Sequence, residues 1–161
     1  TVQHAVIKIQ SMGYKINDLN IEIGLSRVVK NTSLIGRWQV IQTTPLVICD
    51  TGHNEAALKE LVAQITSSNH FKYHFVLGFS NDKNIKKISK IFPKYGRYYF
   101  VKPNVDKGMD SDKVKKIFSL NKRSGDAYKS SKEARSEACK NAKQNDLVFI
   151  GGSTFVVSEV I

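Results

Sequence analysis

Short β-rich runs alternating with helical patterns predict an α/β fold. It is read as a Rossmann-like three-layer sandwich, a mostly parallel sheet with an antiparallel edge hairpin, preceded by a helical tail. Three observations carry this reading. From residue 58 onward, apolar residues recur at helical spacing between short β-rich runs. Leu147-Val148-Phe149-Ile150 is apolar at every position, as in a strand covered on both faces. Two further β-rich runs, 38–41 and 46–49, lie only a Thr43-Thr44-Pro45 turn apart.

Taken in order, Val2, Ala5, Val6 and Ile9 fall at i, i+3, i+4 and i+7 on one helical face, and Gly13 follows as a C-terminal stop. Asn17 and Asp18 can cap a second helical segment containing Leu19, Ile23, Leu25, Val28 and Val29, which ends in the polar run 30–33. Residues 1–33 carry too little apolar surface for a core of their own, so their apolar face is expected to pack on a domain outside this chain. The opening without Met, directly into helical periodicity, fits a piece of something longer. After the hairpin, Leu58, Leu61, Val62 and Ile65 mark a helix, 73–79 a strand, and Ile85, Ile88 and Phe92 another helix. Residues 97–102 form a strand, Val114, Ile117 and Phe118 a helix, and Ala134, Ala138 and Ala142 another. The apolar strand at 147–150 then leads into a last helix from Ser153 or Thr154. Residues 103–131, rich in Lys, Ser and Gly, are expected to be the most loop-rich and mobile stretch.

The chain has 161 residues, 41% hydrophobic and 24% charged, enough for about one globular domain with a real core. Two cysteines, Cys49 and Cys139, exclude a disulfide framework and favour a reducing, cytoplasmic setting. No apolar run approaches the roughly 20 residues of a membrane span, so no membrane partner is expected. The net charge of +11 asks for an anionic partner, but 20 of the 25 basic residues are Lys. Base reading leans on bidentate Arg, which argues against nucleic acid.

Ligands on parallel sheets sit outside the carboxyl ends of strands. There Asp50-Thr51-Gly52-His53-Asn54 joins a strand to a helix. Asp50 can accept two hydroxyl hydrogen bonds, and His53 and Asn54 can present donors beside a helix start that favours anions. The structural alternative is that Asp50 and Asn54 only cap the helix and His53 is a solvated loop residue. Gly151-Gly152-Ser153-Thr154 repeats the strand-to-helix pattern and can cradle a carboxylate or phosphate, or simply form a turn and an N-cap. Asp82-Lys83 occupies a third strand end, where such a pair is usually solvent-facing. Arg37 beside Trp38 can reach a phosphate or be an ordinary edge-strand arginine. Cys49 reads as a core residue, and His70 and His74 lack the acidic neighbours of a metal site. There is no G-x-x-x-x-G-K-[ST], no G-x-G-x-x-G and no G-x-S-x-G, so any phosphate chemistry must borrow its main anion cradle from elsewhere.

The ordered set of Gly36-Arg37-Trp38-Gln39-Val40-Ile41, the run from Pro45 to the D-x-x-H-N at 50–54, Asp82-Lys83 and Gly152-Ser153 resembles folylpolyglutamate synthase. The likeness is to the C-terminal part of that family, including its bifunctional dihydrofolate synthase forms, within the Mur ligase superfamily. It runs over nearly the whole chain: 1–33 resemble the last helices of the central ATPase domain and 37–161 the C-terminal domain. This chain departs from the family pattern at Thr51, Gly52, Asn84 and Lys107-Gly108. The resemblance implies a cytoplasmic, monomeric, ATP-dependent ligase that adds L-glutamate to a folate through an acylphosphate. ATP and Mg²⁺ would be bound mainly by the absent ATPase domain, with no metal ligand in this chain. By matching positions, Arg37 would reach the ATP phosphates and Asp50 the ribose, with Asn54 beside the nucleotide. His53 would lie between phosphate and incoming glutamate as the catalytic group, Gly152 and Ser153 would hold the glutamate carboxylate, and Asp82 and Lys83 would contribute from the neighbouring loop. A peptidoglycan Mur ligase or a basic nucleic-acid-binding module are the competing expectations.

Overall fold

The computed structural model describes residues 2–68 and 70–161, which divide into a unit ending at Ile35 and a second from Gly36 to Ile161. The first unit is helical. Helix α1 (Val2–Ser11) is followed by Gly13 at φ +93°, a left-handed conformation natural to glycine. Helix α2 (Asp18–Ser26) starts at a reciprocal capping box, Asn20 N–H donating to Asn17 Oδ1 at 2.8 Å and Asn17 N–H to Asn20 Oδ1 at 3.1 Å. The apolar run read as one helical segment is broken at Arg27, and α3 (Val28–Thr32) follows. None of these helices buries a residue: Val2, Ile7, Ile9, Leu19, Ile23 and Leu25 are all exposed.

The second unit is the α/β fold expected. Its strands are β1 (Gln39–Thr43), β2 (Leu46–Cys49), β3 (Tyr73–Leu77), β4 (Arg97–Val101), β5 (Gly125–Tyr128) and β6 (Leu147–Gly151). They form one sheet in the order β1-β2-β6-β3-β4-β5, antiparallel only between β1 and β2. The helices are α4 (Glu55–Ser67), α5 (Ile85–Ile91), α6 (Ser111–Leu120), α7 (Ser131–Asn141) and α8 (Thr154–Ser158). Side chains alternate between the two faces of each central strand. Phe75, Leu77, Tyr98, Phe100 and Phe149 pack with α4, α5 and α6, whereas Val76, Tyr99, Val101, Val148 and Ile150 pack with α7 and α8. The late strand β6 inserts between β2 and β3, which explains why it is apolar throughout: it has a covered face on each side.

The stretch 103–131 corrects the expectation of a loop-rich segment, because it holds α6 and the edge strand β5. Gly125-Asp126-Ala127-Tyr128 has no apolar alternation; it is a strand because β4 offers it an unpaired edge. Gly125 lies so close to β4 that a Cβ there would stand 2.1 Å from the Tyr98 carbonyl oxygen.

Candidate active site

Three strand ends meet at one edge of the sheet. The amide of Asp50 extends the β2–β6 ladder by donating to Ile150 O at 3.1 Å, and Gly78 N–H donates to Gly151 O at 3.3 Å on the β3 side. The chain leaving β2 enters α4 on one face, and the chain leaving β6 enters α8 on the other. The crevice between them is the kind of topological switch point at which open α/β sheets bind ligands.

Asp50 organises this edge. Its carboxylate is almost completely buried and accepts Trp38 N–H on Oδ2 and Gly52 N–H on Oδ1, both at 2.7 Å. Arg37 Nη1 lies 3.9 Å from Oδ1 while its side chain stays 60% exposed. Two more bonds tie the same segments together: Thr51 N–H donates to Gly36 O at 2.8 Å, and Gly36 N–H to Gln39 Oε1 at 2.7 Å. The approach is tight, since a Cβ on Gly36, at φ +69°, would stand 2.7 Å from Thr51 Cγ2. Trp38 adopts φ +42°, unusual for a non-glycine residue, with its N–H directed to Asp50. The sequence reading assigned no part to Trp38 N–H or to the Gln39 side chain, and no composition or periodicity signal marks a backbone donor.

His53 is exposed, and its Nδ1–H donates to Thr51 O at 3.0 Å, which leaves Nε2 as the ring nitrogen available to another partner. Asn54 caps α4, its Oδ1 accepting Ala57 N–H at 2.8 Å, while its amide nitrogen can donate to another partner. At the end of β6, Gly152 has φ +85°, and a Cβ there would meet Phe79 Cε1 at 2.7 Å and Gly78 O at 2.8 Å. This turn delivers Ser153 as the N-cap of α8, with its Oγ accepting Phe155 N–H at 3.3 Å. Asp82 and Lys83 pair with each other at 2.8 Å on the loop after β3, and that bond holds the Asp82 carboxyl below its usual range. Among the described residues no hydrogen bond or ion pair joins this pair to Asp50, His53 or Ser153. The structure thus brings Arg37 and Asp50 into one bonded cluster beside His53 and Asn54, with Gly152 and Ser153 on the adjacent strand end. Cys49 is fully buried, and burial pushes its thiol up to about 12, so it is an inert core residue.

Residues 36–154 match the family described as Mur ligase, glutamate ligase domain. The chain is 30% identical over 139 residues to the dihydrofolate synthase/folylpolyglutamate synthase of Buchnera aphidicola, covering 85% of this chain and 33% of that protein. The solved structure of E. coli FolC in complex with DHPP and ADP is 22% identical, with a TM-score of 0.81 over 97% of this chain and 36% of that one. A bifunctional folylpolyglutamate synthase/dihydrofolate synthase solved with Mn, AMPPNP and L-glutamate bound is 25% identical, with a TM-score of 0.78 over 91% of this chain and 34% of that one. The chain spans about a third of the length of these relatives. With the family match covering the whole strand-end cluster and most of the sheet, the chain belongs to the Mur ligase family through its glutamate ligase domain.

Proposed function

We propose that this chain is the C-terminal, nucleotide- and glutamate-positioning part of a cytoplasmic ATP-dependent ligase that adds L-glutamate to folates through an acylphosphate. The observation that carries the reading is the Arg37–Asp50 cluster beside His53 and Ser153, at a switch point in a chain of the glutamate ligase domain family. The relatives supply the substrate class: they are folylpolyglutamate and dihydrofolate synthases, solved with ADP, or with AMPPNP and L-glutamate, bound.

In this reading Asp50 offers the lone pairs not used by Trp38 and Gly52 to ribose hydroxyls, and its fixed carboxylate keeps the Arg37 guanidinium at the nucleotide phosphates. Asn54 adds its amide donors. His53, oriented by its bond to Thr51, presents Nε2 where the amine of glutamate attacks the acylphosphate, and serves as acceptor for the proton that the amine loses. Gly152 and Ser153 face the glutamate carboxylate, and Asp82 and Lys83 border it from the next loop. These groups mainly bind and orient, so their effect appears when the domain closes on its partner. In this reading Mg²⁺ is bound mainly by the ATPase domain. Residues 1–33 are proposed to be the last helices of that domain, which gives their exposed apolar side chains a partner.

The test is ATP- and folate-dependent incorporation of labelled glutamate by the full-length parent, wild type against Asp50→Ala and His53→Ala. Incorporation that falls at least about 100-fold in both variants is expected, the scale at which positioning and proton-transfer groups act. Activity on a peptidoglycan precursor and on no folate would replace the folate assignment with a Mur-type one.

A further inference from the structure

The sheet has a second edge, opposite the strand ends that carry Asp50, His53 and Ser153. Strands β6, β3, β4 and β5 are consecutive neighbours and all parallel, so their amino ends and the four connections that enter them share this edge. The connections are 142–146, 68–72, 92–96 and 121–124, and they follow one another in a row at the strand spacing of about 4.8 Å. At three of them an exposed apolar side chain stands beside a lysine. Phe71, 81% exposed, precedes Lys72; Tyr95, 70% exposed, follows Lys94; and Leu120, 75% exposed, ends α6 two residues before Lys122. The fourth adds Lys143. All four lysines are exposed, and among the described residues none has a carboxylate within ion-pair distance. The acidic residue of these connections is Asp146, which is buried and accepts Lys143 N–H at 2.8 Å.

We propose that this amino edge is a docking surface for the anionic face of a phospholipid bilayer. Helices α4, α5, α6 and α7 all end here, and lysines after helix C-termini are favoured by the helix dipole alone. Phe71, Tyr95 and Leu120 do nothing for a dipole, and they stand on three adjacent connections rather than scattered singly over the surface. An anionic bilayer uses both kinds of side chain: its headgroups attract the lysines, and its acyl boundary takes up the apolar groups. The mixture also selects lipid over a single nucleic-acid strand. Leu120 has no ring on which a base can stack, and Tyr95 already lies against Tyr73, with ring centroids 6.0 Å apart. No helix of the described residues is long and apolar enough to cross a membrane, and attachment to the surface requires none. Docked by this edge, the protein keeps the opposite edge, with the cluster at Asp50, turned away from the lipid.

Co-sedimentation of the full-length parent with vesicles tests this. Phosphatidylcholine and phosphatidylglycerol in equal parts supply the anionic surface, and phosphatidylcholine alone the neutral one. The expected result is binding to the anionic vesicles that weakens at high salt, and binding at least about tenfold weaker to the neutral ones. Apparent affinity should fall about tenfold or more in Phe71→Ser/Tyr95→Ser/Leu120→Ser and in Lys72→Ala/Lys94→Ala/Lys122→Ala. It should stay unchanged in Lys86→Ala/Lys87→Ala/Lys113→Ala, which removes the same charge from exposed positions on α5 and α6. Every substituted side chain is exposed, so circular dichroism should match the wild type in each variant. No binding to the anionic vesicles, an equal loss in all three variants, wild-type binding by the apolar variant, or capture of a thymidylate single strand in place of vesicles would overturn the proposal.

Discussion

Asp50 and His74, near opposite ends of two strands that both flank β6, show two ways of burying a titratable side chain. Each oxygen of Asp50 accepts a backbone N–H at 2.7 Å with a guanidinium nearby, so its burial serves the site. His74 has no such compensation. Its Nδ1 meets the Tyr99 hydroxyl at 3.0 Å, and its Nε2 lies 3.5 Å from Asp146 Oδ2, too far for a strong bond. Burial lowers the His74 pKa below 6.5, with Arg97 and Lys72 acting in the same direction and Asp146 opposing them. At neutral pH the contact with Asp146 is therefore between a neutral imidazole and a carboxylate, not an ion pair. A depressed folded-state pKa means that the unfolded chain takes up the proton first. Stability is expected to be insensitive to this group above about pH 6.5 and to fall as the pH drops from there through the lower folded value. Urea unfolding between pH 5 and 8 checks this, and His74→Phe should flatten the slope across that window.

At the scale of elements, two short connections carry more than their length suggests. Arg123 is buried after α6 and donates to three backbone carbonyls: Phe92 O from Nε at 2.7 Å, Lys90 O from Nη2 at 3.0 Å, and Asn121 O from Nη1. One guanidinium thereby satisfies the carbonyl end of α5 and ties it to the turn after α6. Arg123→Ala is expected to lower stability by about 2–4 kcal/mol, since buried carbonyls lose charged partners; thermal unfolding measures it. The Gly152 turn is the second case. A methyl there faces the Gly78 carbonyl, which sits in the sheet edge and cannot yield, on a backbone at φ +85°. Gly152→Ala should cost more than about 1 kcal/mol in denaturant unfolding. It should also move Ser153, raising the KM for glutamate in the parent enzyme more than the KM for ATP. The helices and central strands were legible in the sequence because their apolar spacing is strong. Strand β5 was not, because Gly125, Asp126 and Ala127 become a strand only through pairing with β4. Nor was the break at Arg27 visible within the apolar run 19–29.

At the scale of the whole molecule, the charge and the missing phosphate loop set the expectations. The sequence holds no G-x-x-x-x-G-K-[ST], so the 161-residue chain alone should show no ATP-dependent glutamate incorporation in the radiolabel assay proposed above. Activity of the isolated chain would mean that its own residues suffice for phosphoryl transfer, which would contradict the positioning roles proposed here. Local order and pattern were enough to determine the α/β class, the edge hairpin, the apolar strand at 147–150 and the strand-end positions of Asp50, His53 and Ser153. These features depend on spacing within a few residues, and that is written along the chain. Tertiary structure alone decided that β6 enters between β2 and β3 and that Trp38 N–H reaches the Asp50 carboxylate. Each of these depends on contacts between segments 12 to about 100 residues apart. Long-range contacts of that kind leave no periodic trace, because many pairings satisfy the same apolar pattern and only close packing selects one.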